Sequence, residues 1–281
     1  MAEIHDERIC ELGEGPLWHP ERGQYFWFDI LGCRLLSRDQ GFAREWRFGQ
    51  MASAAGWVDR DHLLIAHEQG LGLLDLTSGE LEPAAAIEAD CPETRSNDGR
   101  ADRQGGFWFG TMGKGAEPGA GAVYRYYRGE IRRVVDRITI PNAICFSPAG
   151  ETAYFADTKE QKIWTQPLDP QGWPRDERRL FLDCGPLGLS PDGAVTDCEG
   201  ALWVACWGAG AVIRFGPDGR QKDRLGVGGR HSSCPAFGGA ELDEMLVTTA
   251  REGIEHPDAA QGVTYLVRPS VKGLPEPRVI L

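Results

Sequence analysis

The 281-residue chain lacks basic excess: 42 Asp and Glu outnumber 30 Lys and Arg, leaving a formal net charge of −12. That sign opposes the counterion-releasing contacts that drive nucleic-acid binding and is repelled by anionic lipid, so neither a nucleic acid nor a membrane is an expected partner. No apolar run approaches the roughly 18 to 20 residues of a spanning helix. The opening MAEIHDERICEL is acidic and polar, where a secretory leader is basic and then apolar, and the expected location is the cytoplasm. The eight cysteines include no Cys-x-x-Cys pair, which argues against a zinc ribbon or a thioredoxin-type site and for reduced, largely buried thiols. Histidines share no motif. His67 alone follows a central strand in register, and a structural role suits it better than a ligating one. No segment keeps a helical apolar period over three turns, which weighs against α/β barrels and doubly wound sheets.

What the chain does have is 37 glycines and 18 prolines spread between short aromatic and β-branched runs. The clearest runs are Tyr25–Ile30, Leu63–Ala66, Phe107–Thr111, Ala153–Asp157, Leu202–Cys206 and Met245–Thr249. Their central members Trp27, Ile65, Trp108, Phe155, Trp203 and Val247 are 38, 43, 47, 48 and 44 residues apart. A period of about 40–50 residues with several strands per repeat marks β-propeller blades, and the expected fold is all-β, one six-bladed β-propeller over residues 1–281. A two-sheet sandwich is the alternative.

Finer register ties three blades to one template: Asn97 to Gly105, Asn142 to Gly150 and Asp192 to Gly200 each span eight residues. The residue that opens a blade's innermost strand faces the central axis near one mouth. Read this way, Glu14, Asn97, Asn142 and Asp192 open the first, third, fourth and fifth blades. Each has a plainer explanation. Asp192 sits in Pro-Asp-Gly, a turn sequence that recurs at Pro217-Asp218-Gly219, and only register separates the two. Asn142 could cap a turn, and Glu14 could be a solvated loop residue. Converging carboxylate and amide oxygens would suit Ca²⁺, Mg²⁺ or Mn²⁺, with Fe²⁺ or Zn²⁺ less natural.

An ordered set of motifs resembles the SMP-30/gluconolactonase/regucalcin family nearly end to end: Gly13-Glu14-Gly15-Pro16-Leu17-Trp18, Arg95-Ser96-Asn97-Asp98-Gly99, Gly110-Thr111-Met112, Pro141-Asn142, Pro191-Asp192-Gly193 and Glu199–Ala205. The resemblance implies a six-bladed propeller holding one divalent metal ion through Glu14, Asn142 and Asp192. It also implies hydrolysis of sugar lactones to aldonic acids, with Arg95 and Asn97 on the sugar hydroxyls. A further family glutamate matches Glu117, after Gly110-Thr111-Met112, although the spacing departs from the mammalian pattern.

Lactone hydrolysis requires a nucleophilic water, relief of charge on the carbonyl oxygen and protonation of the leaving ring oxygen. A divalent cation serves the first two, and Asp192 is the expected general base. Arg95 offers a donor fork for ring and hydroxyl oxygens, and Trp207 is a candidate pocket wall. Two other classes stay open at this point: an ester or organophosphate hydrolase on the same propeller, and a non-enzymatic calcium-binding propeller.

Overall fold

The computed structural model describes residues 2–281. Its strands follow in chain order. β1 (Glu3–Asp6) precedes a first set of β2 (Gly13–His19), β3 (Gln24–Asp29), β4 (Arg34–Asp39) and β5 (Phe42–Arg47). A second set is β6 (Ala52–Trp57), β7 (His62–His67), β8 (Gly70–Asp75) and β9 (Leu81–Ala86), and a third is β10 (Thr94–Ala101), β11 (Phe107–Gly113), β12 (Gly121–Tyr127) and β13 (Glu130–Ile138). The fourth is β14 (Pro141–Phe146), β15 (Thr152–Asp157), β16 (Lys162–Pro167) and β17 (Arg179–Asp183). The fifth is β18 (Ser190–Thr196), β19 (Leu202–Trp207), β20 (Ala211–Phe215) and β21 (Gln221–Gly226), followed by β22 (His231–Gly238), β23 (Glu244–Ala250) and β24 (Thr264–Val267). They pair as six four-stranded antiparallel sheets, the blades of a β-propeller.

Each aromatic run singled out by periodicity is the second strand of its blade. The last blade has the order β22-β23-β24-β1, so the amino-terminal strand closes the ring as its outer edge, with Glu3 opposite Leu266. Burial falls from axis to rim: β3 is buried throughout, whereas β5 is exposed at all but Trp46. Among the described residues the only helical segment is a short 3-10 turn, Gly185–Leu187, and no helix is long and apolar enough to cross a membrane. All eight cysteines are free.

The eight-residue template has a physical basis that recurs in the third and fifth blades. Asp102 Oδ1 accepts from the Gln104 and Gly106 N–H groups and fixes the hairpin, while Oδ2 accepts from Trp108 Nε1 at 3.0 Å and Arg125 Nε at 2.6 Å. Asp197 repeats this with Glu199, Ala201, Trp203 and Arg214. One buried carboxylate thus locks a turn, the central tryptophan and the next strand, satisfying polar atoms that would be costly to bury alone.

All six inner strands, β2, β6, β10, β14, β18 and β22, carry a bulge near their first residues. An extra residue there re-aims side chains at the axis. At the first blade the device needs glycine: Gly15 has φ +50°, and a Cβ would lie 2.2 Å from Ser53 O. The bulges therefore present one residue per blade at the same height of the channel.

Candidate active site

The six bulge positions are Glu14, Ser53, Asn97, Asn142, Asp192 and Ser233. Register found the four in blades one, three, four and five. It missed Ser53 and Ser233. Ser53 Oγ donates to Ser96 Oγ at 2.8 Å, and Ser233 Oγ donates to Gly13 O, so these two hydroxyls fasten neighbouring inner strands.

Glu14, Arg95, Asn97, Asn142 and Asp192 line one cavity of about 380 Å³. A larger depression of about 540 Å³ lies on the outer strands of the first two blades, among partly exposed ion-paired side chains that do not converge. The axial cavity is where the buried carboxylates, amides and guanidinium converge.

A chain of hydrogen bonds crosses three blades along its wall. Arg95 Nη1 donates to Asn97 Oδ1 at 2.7 Å; Asn97 Nδ2 donates to Asn142 Oδ1 at 3.0 Å and to Pro141 O at 2.9 Å. Asn142 Nδ2 donates to Thr158 Oγ1 at 2.8 Å, and the Thr158 hydroxyl donates to Pro191 O at 2.6 Å. This order fixes Asn142 with its oxygen toward Asn97 and keeps one lone pair of that oxygen uncommitted. Thr158 was not visible in the sequence reading, because it follows β15 in a turn.

Asp98, unread within the Arg-x-Asn-Asp-Gly motif, lies buried beneath this wall. Its carboxylate accepts from Gly99 N at 2.8 Å and Ile144 N at 2.7 Å. The second bond pins the bulge after Asn142, where Ala143 takes a left-handed φ of +54°. Burial, against those two hydrogen bonds, pushes the Asp98 carboxyl up to about 6.

Glu14 and Asp192 line the same cavity, both buried and near enough to act on each other's charge. Burial first, then the charge of Asp98 on Glu14 and those of Glu14 and Asp98 on Asp192, raise both carboxyls well above the usual range. Such a pair takes up a proton or a cation. Among the described residues no three His, Cys, Asp or Glu side chains group as metal ligands. Two carboxylates and the Asn142 amide oxygen make a hard-oxygen set, which fits a divalent cation.

The remaining expectations divide. Trp207 lines the cavity and stacks on His231, centroids 4.2 Å apart at 19°. His67 accepts from Gln69 N, a local structural bond. Glu117 is not brought to the cavity. It is exposed, its carboxylate accepts from Gly115 N at 3.2 Å, and it turns back beneath Gly113 and Gly115 while Lys114, Gly115 and Ala116 line the opening. The loop closes on its own glutamate, so the sequence match to a substrate contact fails on geometry.

The sequence pattern of the SMP-30/Gluconolactonase/LRE-like region matches residues 12–251. A protein of Rhizobium meliloti (strain 1021), provisionally named a sugar lactone lactonase, is 40% identical over 280 residues, covering 96% of this chain and 94% of its own. The L-arabinolactonase of Azospirillum brasilense is 36% identical over 251 residues, 86% of this chain and 82% of its own. The crystal structure of a calcium-binding protein, regucalcin, from Agrobacterium tumefaciens str. C58 superposes with a TM-score of 0.96 at 39% identity, covering 100% of this chain and 98% of that one. With that match spanning most of the ring and every inner strand, the chain belongs to the SMP-30/gluconolactonase/LRE-like family.

Proposed function

We propose that this protein is a sugar lactonase, opening aldonolactones to aldonic acids in the axial cavity, with one divalent cation held by Glu14, Asn142 and Asp192. The observation that carries the reading is the approach of two buried carboxylates, Glu14 and Asp192, beneath a cavity whose wall carries the Arg95 guanidinium. Relatives named for lactone hydrolysis support the reaction class.

A divalent cation, when bound, supplies positive charge that polarises a carbonyl and acidifies water. Asp192 accepts the proton of the attacking water as its oxygen adds to the lactone carbonyl carbon. The bond from that carbon to the ring oxygen then breaks, and the ring oxygen takes up a proton to become the hydroxyl of the open acid. Asp192, newly protonated, is the nearest donor, which returns it to its starting state. Arg95, tied by one nitrogen to Asn97, keeps its other N–H groups for ring and hydroxyl oxygens. Asn97 and Thr158 hold the Asn142 oxygen in place.

Acid release from an aldonolactone panel, measured after chelation and with Ca²⁺, Mg²⁺, Mn²⁺, Zn²⁺ or Fe²⁺ restored, tests the assignment and names the ion. Full-rate hydrolysis by chelated protein, or by Asp192→Asn, would remove it. Tight Ca²⁺ binding with no turnover on any lactone would leave a binding propeller in its place.

A further inference from the structure

In the cavity that Arg95 lines, the fifth, sixth and first blades contribute one connected arc, and its Glu252 is close enough to set its charge against Arg95. Trp207 stacks on His231, and His231 Nδ1 donates to Glu252 O at 3.1 Å. Glu252 N donates to Glu11 O at 3.0 Å, and Arg251 Nε donates to Glu11 Oε2 at 2.6 Å, which bolts the loop after β23 to the segment entering β2. The backbone of Glu252 is therefore committed. Its carboxylate is not: it lines the cavity, half-buried, with no ion pair or side-chain hydrogen bond among the described residues.

An inventory of donors and acceptors gives that carboxylate a purpose. Arg95 keeps free N–H groups, while Lys114, also on the cavity, is neutralised by an ion pair with Glu68. The neutral acceptors beside Arg95 each already take one hydrogen bond, Asn97 Oδ1 from Arg95, Asn142 Oδ1 from Asn97 and Thr158 Oγ1 from Asn142, and the remaining lone pair of Asn142 is the one proposed for the cation. Glu14 and Asp192 face each other. A hydroxyl both donates and accepts, so a polyhydroxylated ring held by Arg95 still has protons to place. Glu252 is the acceptor available to receive them.

We propose that Glu252 is the specificity-determining residue of this cavity: its carboxylate accepts hydrogen bonds from the hydroxyls of a neutral polyhydroxylated ring, with Trp207 walling the same side. A ring bearing a carboxylate, phosphate or sulfonate at that end meets like charge and is selected against. The inference takes its substrate class from the lactonase reading, and its test separates the two.

The probes are 1,5-anhydroglucitol, a cyclic polyol without the carbonyl, titrated by calorimetry, and two lactones followed by acid release: gluconolactone and the hydroxyl-free δ-valerolactone. Glu252→Ala should weaken anhydroglucitol binding about tenfold, the loss of one hydrogen bond to a charged acceptor. It should also raise KM for gluconolactone about tenfold with kcat within about twofold, and leave kcat/KM for δ-valerolactone unchanged. Glu252→Gln should recover part of the polyol affinity and gain on glucarolactone, whose extra carboxylate no longer meets a charge. Because the Glu252 side chain makes no hydrogen bond or ion pair among the described residues, both variants should stay folded, with only the small drop in Tm that follows from losing its charge beside Arg95. Unchanged polyol affinity and KM, or equal losses on both lactones, would overturn the assignment while leaving the lactonase reading intact. Glu252-dependent polyol binding in a protein that opens no lactone would do the reverse.

Discussion

Asn97 and Asn142 share a hydrogen bond across the third and fourth blades, Nδ2 to Oδ1 at 3.0 Å, while the Asn97 oxygen accepts from Arg95 at 2.7 Å. One amide thus links the residue proposed to bind sugar with one proposed to bind the cation. Removing it with Asn97→Ala should cost on both sides: about tenfold in cation affinity and about a hundredfold in kcat/KM, by analogy with groups that orient metal ligands. Asn97→Asp should be worse, because it sets a carboxylate against the Asn142 oxygen and near three buried acids. Calorimetry with the cation, beside steady-state kinetics, checks both. A variant that changes KM alone would show Asn97 serving Arg95 only.

Glu14 and Asp192 are buried with their carboxyls raised well above the usual range, and a divalent cation that takes the place of the proton there should stabilise the fold. At a free concentration a hundredfold above Kd the gain is about 2.7 kcal/mol, or about 5 to 10 °C in Tm for a chain of this size. Asp192→Asn should abolish most of that shift, since it removes one of the two carboxylates proposed to hold the ion. Asp218→Asn, in the exposed Pro217-Asp218-Gly219 turn, should change neither. Thermal scans with and without chelator decide it. Equal shifts in all three proteins would place the cation elsewhere.

That contrast between Asp192 and Asp218 shows what was legible in the sequence. Identical turn tripeptides separate once hairpin spacing sets register: Asp192 and Asn97 precede the two Asp–Trp–Arg locks, and Asn142 shares their eight-residue spacing. Ser53 and Ser233 have no such spacing to mark them. Thr158, Glu252 and the misassigned Glu117 lie beyond strand ends, where conformation depends on contacts with other blades or on a loop closing upon itself. The opening MAEIHDERICEL reads locally as an acidic, polar stretch unlike a secretory leader. Its place as outer strand of the last blade arises from pairing with residues 264–266, which no local pattern reveals.

Burial lowers the pKa of His5, His19, His67 and His231 from the usual 6.5. The unfolded chain therefore binds more protons than the fold between those lowered values and 6.5. The contribution of these histidines to stability should be at its plateau above about pH 7 and decline as pH falls through 6.5 toward 5, opposed by the raised carboxyls of Glu14, Asp98 and Asp192, which bind protons more tightly in the fold. His19 is the cleanest probe, fully buried against Phe26 and Trp57 with Nε2 bonded to Asp59 O at 3.0 Å. His19→Gln should flatten the decline in urea midpoint between pH 7 and 5, at some cost in stability at pH 7. An unchanged slope would exclude His19 as a contributor.

The carboxy-terminal segment is anchored at the end of β10 away from Arg95, and the anchorage rests on charge. Glu276 Oε2 meets Arg100 Nη1 at 3.2 Å with both side chains over 90% buried, Arg100 Nη2 donates to Pro235 O, and Glu276 O accepts from Trp57 Nε1 at 3.0 Å. Arg100 belongs to β10, the strand that carries Arg95 and Asn97. Glu276→Ala should leave a buried guanidinium unpaired and destabilise by about 3 to 5 kcal/mol. Replacing both partners by methionine should recover most of that loss, because the desolvation cost of the pair disappears with the pair. Urea unfolding at constant m-value measures the difference. If the single variant proved as stable as the double, the segment would be held by its backbone bonds alone, such as Val279 N to Trp57 O at 2.8 Å.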